Sequence, residues 1–183
     1  MIHASEILVI AGSVRPRRIC LQVAEWVAAL GSETPGVSPE VVDLRDWPLP
    51  DDEAGIPAAG GYDHPHTLAW SRKVAAARAV VLVSPQYNWG YPAPLKNALD
   101  HLYAEWAGKP VMVVTYGGHG GDKCSRQLVQ VCKGLHMKPV GPRPRMRLAR
   151  KAIEANTGDI DPAAVFGGHA AEVRRGFKRL VAG

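Results

Sequence analysis

A chain of 183 residues is long enough for one well-packed domain and short for two, so we expect residues 1–183 to form a single domain. Hydrophobic residues make up 46% of the chain and charged residues 21%, which are ordinary globular values that argue against disorder. The formal net charge of +5 could favour an anionic ligand or form only a solvated basic face. The basic stretches at 15–18 and 143–151 lack interleaved aromatic residues and a recognisable reading module, so we expect no nucleic-acid partner.

The sequence also bears on location and redox state. No apolar run approaches the roughly 18 to 20 residues of a membrane span, and the first residues lack the basic and apolar regions of a secretory signal. Cys20, Cys124 and Cys132 form an odd count without C-x-x-C or zinc spacing. We therefore expect reduced thiols in a cytoplasmic protein, with no membrane association, no disulfide framework and no bound metal.

Buried apolar runs alternate with helical periodicities along the chain. Strands are predicted at 6–11, 39–44, 79–84, 110–116 and 138–147, and helices at 18–30, 67–77, up to 106 after the third strand, 122–135 and 162–181. Gly31 is predicted to end the first helix, and the Pro- and Gly-rich segment 45–66 is predicted to be a loop. This alternation indicates a parallel sheet covered on both faces, in a flavodoxin-like doubly wound α/β fold with five strands in the order 2-1-3-4-5.

In such sheets, ligands bind beyond the carboxyl ends of strands 1 and 3, which directs attention to the turns after residues 11, 84 and 116. The first of these turns reads GSVRPRR, from Gly12 to Arg18. Gly12 allows a sharp reversal, Ser13 offers a hydroxyl, and the N-terminus of the following helix with adjacent guanidinium groups is typical of a phosphate site. The alternative is a helix start with solvated arginines. The turn contains neither a Walker A motif nor a dinucleotide fingerprint.

The second turn lies within SPQYNWGYPAPLKNALD, residues 84–100. Pro85 cannot donate to a strand ladder and therefore ends the third strand. Tyr87, Asn88 and Trp89 could present ring faces and amide groups to a flat heterocycle. They could equally form a hydrophobic plug or a contact between subunits.

The third turn, TYGGHGGDKCS, covers residues 115–125. Its paired glycines let the backbone approach a ligand closely, and exposed N–H groups there can meet carbonyl oxygens. His119 could be a proton donor or a metal ligand, although a lone histidine in a glycine turn is more often neither.

These three turns together resemble the NAD(P)H-dependent FMN reductase family, which also includes quinone, azo-dye and chromate reductases. The resemblance covers about residues 6–136 and is strongest at 84–121, where a long Y-N-x-x-x-P-x-x-L-K-N-A-x-D run is followed by Y-G-G. It implies a flavodoxin-like fold, non-covalently bound FMN and a homodimer or homotetramer.

The family's motifs, carried over position by position, imply that the segment from Ser13 to Cys20 holds the FMN phosphate. The segment after the third strand would line the flavin ring, with the third turn opposite. The cofactor-binding residues predicted in this way are Ser13, Arg15, Arg18, Ile19, Cys20, Pro85, Gln86, Tyr87, Asn88, Trp89, Tyr116, Gly117 and Gly118. The chain departs from the family at Arg17 and Cys20, where relatives often carry a small polar residue or glycine.

The activity that the resemblance implies is a hydride transfer from NAD(P)H to the flavin N5, followed by reduction of a quinone-like or flavin acceptor. The chemistry belongs to the cofactor, so no catalytic side-chain acid or base is expected. Arg17 or Arg18 could also meet the 2′-phosphate of NADPH. Three alternatives stay open: a flavodoxin-type electron carrier without its own turnover, an interaction protein that has lost flavin, and a reductase that hands free reduced FMN to a monooxygenase.

Overall fold

The computed structural model describes residues 5–51 and 61–182. Its strands are β1 (Ser5–Ala11), β2 (Val37–Asp43), β3 (Ala79–Pro85), β4 (Pro110–Gly117), β5 (Lys138–Pro139) and β6 (Arg145–Arg147). Its α-helices are α1 (Cys20–Ser32), α2 (Pro65–Ala76), α3 (Ala93–Asp100), α4 (Asp122–Gly134), α5 (Arg150–Ala155), α6 (Pro162–Phe166) and α7 (Ala170–Val181). Single 3₁₀ turns lie at Leu44–Asp46, Ala104–Trp106 and Gly167–His169. Within the described ranges, no helix has the length and apolar character needed to cross a membrane.

The sheet confirms the predicted parallel arrangement and strand order. The strands run β2-β1-β3-β4-β5, and every ladder between them is parallel. Where β1 ends, the N–H of Gly12 donates to the carbonyl of Val83 at 2.9 Å, and Pro85 stands opposite Tyr116 in the β3–β4 register. The turns that follow these three strands therefore meet along one edge of the sheet.

The core is divided by the sheet into two layers. Successive residues of a strand face opposite sides, so the odd-numbered residues of β1 and β3 pack on one face and the even-numbered residues on the other. The first face is covered by α1, α6 and α7, and the second by α2, α3 and α4. Because both faces are covered, β3 is buried along its whole length, as its continuous apolar run predicts.

The prediction that Gly31 ends the first helix is wrong, and the reason is tertiary packing. Helix α1 begins at Cys20 and continues through Gly31 to Ser32. A Cβ on Gly31 would lie 2.5 Å from ring carbons of Phe177 in α7. The glycine therefore allows two helices to approach closely, and its position near the helix end is incidental.

The predictions for the C-terminal third are wrong in their continuity. The strand predicted at 138–147 is two short strands, β5 and β6, which both pair with β4. Pro142 and Pro144 lie between them and have no N–H to donate to a ladder. The helix predicted at 162–181 is divided by the turn Gly167–His169, whose glycines are poor helix formers. Helix α5 was not predicted from the sequence.

Two further boundaries differ from the predictions. The helix predicted to reach residue 106 ends at Asp100 and is followed by the separate turn Ala104–Trp106. The loop predicted at 45–66 begins with the last residues of the turn Leu44–Asp46 and ends where α2 begins at Pro65. Its middle part, 52–60, lies outside the described residues.

Candidate functional site

A cavity of about 440 Å³ lies at the edge of the sheet where β1, β3 and β4 end. Its strand-end wall consists of Pro85, Gln86, Tyr87, Tyr116, Gly117 and Gly118. Its tail wall consists of Leu148, Ala152, Ile153, Ala155, Asn156, Thr157, Gly158, Asp159, Ile160 and Val165. The first turn, residues 12–19, adds Arg15, Arg17 and Ile19 to the lining. The structure thus brings together eight of the residues predicted to bind cofactor, which are Arg15, Ile19, Pro85, Gln86, Tyr87, Tyr116, Gly117 and Gly118.

The strand-end wall is held by backbone hydrogen bonds that continue the sheet. The N–H of Gln86 donates to the carbonyl of Tyr116 at 2.9 Å. The side-chain oxygen of Gln86 accepts hydrogen bonds from the N–H groups of Lys123 and Cys124, each at 3.1 Å. Gln86 therefore ties the turn after β3 to the first turn of α4, and the wall has little freedom to move.

Tyr87 joins the strand-end wall to the first turn. Its hydroxyl is hydrogen-bonded to the hydroxyl of Ser13 at 2.9 Å, and the Ser13 side chain is fully buried. The guanidinium carbon of Arg15 lies 3.6 Å from the centre of the Tyr87 ring. Such a cation–π contact contributes about 0.5 to 2 kcal/mol. Ser13 thus supports the cavity from behind through Tyr87.

Arg18 and Cys20 stand behind the cavity lining. Arg18 forms an ion pair with Asp43 at the end of β2, and its side chain is only 6% exposed. Its Nε is buried without a hydrogen-bond partner among the described residues. The thiol of Cys20 donates to the carbonyl of Val83 at 3.4 Å, and burial raises its pKa to about 11. Both side chains therefore hold the first turn against the sheet.

Asn88 and Trp89 lie outside the lining, at the tip of a tight turn. Tyr87 and Gly90 exchange two backbone hydrogen bonds of 2.9 Å, and the residues between them have φ of +47° and +73°. Positive φ is uncommon for a bulky residue such as tryptophan. Trp89 is 64% exposed, and the ammonium of Lys123 lies 3.7 Å from its ring centre.

His119 of the third turn and Tyr116 at the end of β4 differ in exposure. His119 is exposed and does not line the cavity. Tyr116 is buried, and burial raises the pKa of its hydroxyl well above the ordinary value. Tyr116 therefore remains a neutral hydroxyl at physiological pH.

None of the tail-wall residues was predicted from the sequence to line the site. The N–H of Leu148 donates to the carbonyl of Gly117 at 2.9 Å, which sets the tail beside the third turn. A Cβ built on Gly118 would lie 3.6 Å from Cδ1 of Ile153 in α5. The sequence carries one local signal, the turn composition N-T-G-D at 156–159, but nothing in it indicates which cavity that turn faces.

Comparison with known proteins identifies the family. A sequence model described as NADPH-dependent FMN reductase matches residues 5–145. An NAD(P)H-dependent FMN reductase of Schizosaccharomyces pombe is 48% identical over 175 residues, which cover 94% of this chain and 86% of that protein. The chain belongs to the NADPH-dependent FMN reductase family.

Other relatives extend this result. A quinone reductase of Escherichia coli is 30% identical over 166 residues, which cover 85% of this chain and 84% of that protein. The solved structure of the flavoenzyme NAD(P)H:(acceptor) oxidoreductase FerB from Paracoccus denitrificans matches with a TM-score of 0.67 and 20% identity, covering 96% of this chain and 98% of that one. The structural match supports the flavodoxin-like fold, and the sequence matches confirm the predicted oxidoreductase family with FMN and NAD(P)H as its cofactors.

The cavity residues fit FMN in their chemistry. Arg15 and Arg17 supply positive charge for a phosphate group on the side of the first turn. Pro85 and Tyr87 supply ring faces beside the strand ends, and Ile153 supplies an apolar side chain across from them. A phosphate-bearing molecule with a flat heterocycle therefore has matching groups on both sides of this cavity.

Proposed function

We propose that the chain passes a hydride from NAD(P)H through bound FMN to a quinone-like or flavin acceptor. One observation carries this proposal: the first turn and the strand-end wall share a single cavity and are joined by Tyr87. When bound, FMN would supply the chemistry by accepting a hydride and releasing two electrons to the acceptor. The chain's own residues bind and orient it.

We propose that the FMN phosphate is held by the first turn. Arg15 would contact it together with the free N–H groups at the start of α1, with Ile19 beside them, and Ser13 would support the turn from behind through Tyr87. Arg18 and Cys20 would act from behind by fixing the turn, which is supported by the ion pair of Arg18 with Asp43.

The flavin ring would lie along the strand-end wall. Pro85, Gln86 and Tyr87 would contact it from β3, and Tyr116, Gly117 and Gly118 from β4. Asn88 and Trp89 would stand at the outer rim, where the exposed Trp89 ring could meet the acceptor or another subunit. Arg17, an exposed cation of the lining, is the better placed of the two candidate arginines for the 2′-phosphate of NADPH because Arg18 is already paired.

No acid or base from the chain is required by this scheme. The ionisable residues in the lining are Arg15, Arg17, Tyr87, Tyr116 and Asp159. Tyr116 is neutral near pH 7 as a tyrosine ordinarily is, and burial raises its pKa further; Asp159 accepts a hydrogen bond from Gln22. We also propose a quinone as acceptor, in line with the name of the E. coli relative, and a cytoplasmic homodimer or homotetramer, as the family resemblance implies.

The test is an absorbance spectrum of the purified protein, with FMN added if the protein is colourless. Anaerobic NADPH should bleach the flavin bands, and a quinone should restore them over repeated cycles. The role of Arg17 in donor choice is tested by comparing turnover with NADPH and with NADH in the wild type and in Arg17→Ala. An unchanged ratio of the two rates would contradict that role. A protein that takes up FMN but does not consume NAD(P)H would be an electron carrier, and a protein that takes up no FMN would defeat the proposal.

A further inference from the structure

The tail wall is hydrogen-bonded to α1 through the side chain of Gln22. Gln22 lies in the first turn of α1, and its amide nitrogen donates to the carboxylate of Asp159 at 2.8 Å. Its amide oxygen accepts from the N–H of Ile160 at 3.1 Å. The side-chain amide of Gln22 thus supplies both a donor and an acceptor to the tail. We call residues 156–160 the tail turn.

The tail turn also lies directly against the backbone of the first turn. Gly158 has a φ of +79°, and a Cβ at this position would lie 3.0 Å from the Cα of Arg17. The turn is braced internally, since the Thr157 hydroxyl donates to the carbonyl of Asp159 at 3.1 Å. A side chain larger than hydrogen at 158 would therefore push the turn away from Arg17.

The tail is anchored on two sides of the cavity. Leu148 is hydrogen-bonded to Gly117 beside the strand-end wall, and Gln22 holds the other end beside the first turn. The segment between these anchors lines the cavity. The second anchor thus holds the tail turn beside Arg17.

The position of the tail turn beside Arg17 bears on which flavin fits the cavity. In FMN the phosphate is the end of the molecule, whereas in FAD the same phosphate continues into an adenylate group. If the phosphate lies in the first turn, an adenylate attached to it would compete for space with the tail turn, whose Gly158 packs against the backbone of Arg17. We propose that the tail turn selects the mononucleotide flavin FMN against the dinucleotide FAD. Gln22 holds the turn in place, and Gly158 allows it to approach Arg17 closely. This inference rests on the proposed function, because it uses the phosphate position given there.

Two variants detach the tail turn by different means. Gln22→Ala removes both hydrogen bonds of the anchor. Gly158→Asn adds a Cβ against Arg17 while keeping a residue type that tolerates positive φ, so the fold should be retained. Lys151→Ala is the matched control, because Lys151 is exposed on the same tail and does not line the cavity.

The experiment incubates the FMN-loaded protein with equimolar FMN and FAD, removes free flavin, and measures the ratio of bound FMN to bound FAD. The wild type and Lys151→Ala should retain FMN. We expect Gln22→Ala and Gly158→Asn to lower the ratio by about three- to tenfold, the size expected when one or two modest hydrogen bonds are lost. A variant that is merely destabilised would lose both flavins equally and leave the ratio unchanged.

The outcomes separate the two proposals. A wild type that binds no FMN would overturn the proposed function and this inference with it. A wild type that binds and turns over FMN, combined with an unchanged FMN-to-FAD ratio in both variants, would overturn the role of the tail turn alone.

Discussion

The two walls of the cavity are built in different ways. The strand-end wall continues β3 and β4, whose register fixes Pro85 opposite Tyr116, and both residues are buried. The tail wall is made mostly of exposed residues, among them Ile153 and Val165, each 46% exposed. It is joined to the rest of the cavity by a few hydrogen bonds at its two ends.

One site thus combines a fixed surface with an adjustable one. Moving the strand-end wall requires breaking sheet pairing and core packing, so changes there should lower stability as well as binding. Residues 152–157 of the tail wall are exposed, so changes there should affect ligand binding with little effect on stability.

The largest expected effect is a difference in unfolding free energy between one variant on each wall. Tyr116→Ala should lower the free energy of unfolding by about 3 to 4 kcal/mol, because it empties a buried position beside Phe166. Val165→Ala on the tail wall should lower it by no more than about 0.5 kcal/mol. Denaturant unfolding of both variants checks the comparison, and equal losses would contradict it.

A smaller effect is expected from the residue that joins the strand-end wall to the first turn. Tyr87→Ala should weaken FMN binding about 30-fold, because it removes the ring that contacts Arg15 and the proposed flavin. Tyr87→Phe keeps the ring and loses only the hydrogen bond to Ser13, so a loss of about fivefold is expected. Titration of FMN by fluorescence measures both values. Equal weakening in the two variants would show that the ring face does not contribute.

The buried thiols beneath the strand-end wall predict a dependence of stability on alkaline pH. Burial raises the pKa of Cys20 and of Cys124 from 9.0 to about 11. Between these pH values the unfolded chain loses thiol protons that the folded chain keeps, so stability is fully present below pH 9 and falls as the pH rises toward 11. Cys20→Ala should reduce the loss between pH 9 and pH 10 by about 1 kcal/mol.

This pH dependence is checked by denaturant unfolding at pH 8, 9 and 10 for the wild type and Cys20→Ala. The native protein should also fail to react with a thiol reagent at pH 8, whereas the unfolded chain exposes all three cysteines. A rapid reaction of the folded protein at that pH would mean that the wall above the thiols opens.

The smallest effect is expected on the tail wall. Ile153→Ser should weaken FMN binding about threefold, because it removes one partly exposed apolar contact beside Gly118. The free energy of unfolding should stay within about 0.5 kcal/mol of the wild type. The same titration and unfolding measurements apply, with Lys151→Ser as the control on the same helix. A large loss of stability with Ile153→Ser would contradict the expectation that changes on the tail wall leave stability nearly unchanged.

Much of the fold and half of the site could be predicted because their signals are local. Continuous apolar runs mark β1, β3 and β4, and the residues at their carboxyl ends must meet at one edge of a parallel sheet. That is enough to bring Arg15, Tyr87 and Gly117 to one cavity. It is not enough to show that Arg18 turns away to Asp43, because this pairing depends on where β2 ends 25 residues later.

The strand order, the three turns and the family follow from the sequence, because periodicity and motif are properties of neighbouring residues. Which surfaces complete the cavity depends on tertiary packing. The tail wall is hydrogen-bonded to α1 through Asp159 and Gln22, which are 137 residues apart in the chain. Likewise, Gly31 lies within α1 and leaves Phe177 of α7 the space that a Cβ would fill. Such contacts depend on packing between distant segments, and no local pattern in the sequence encodes them.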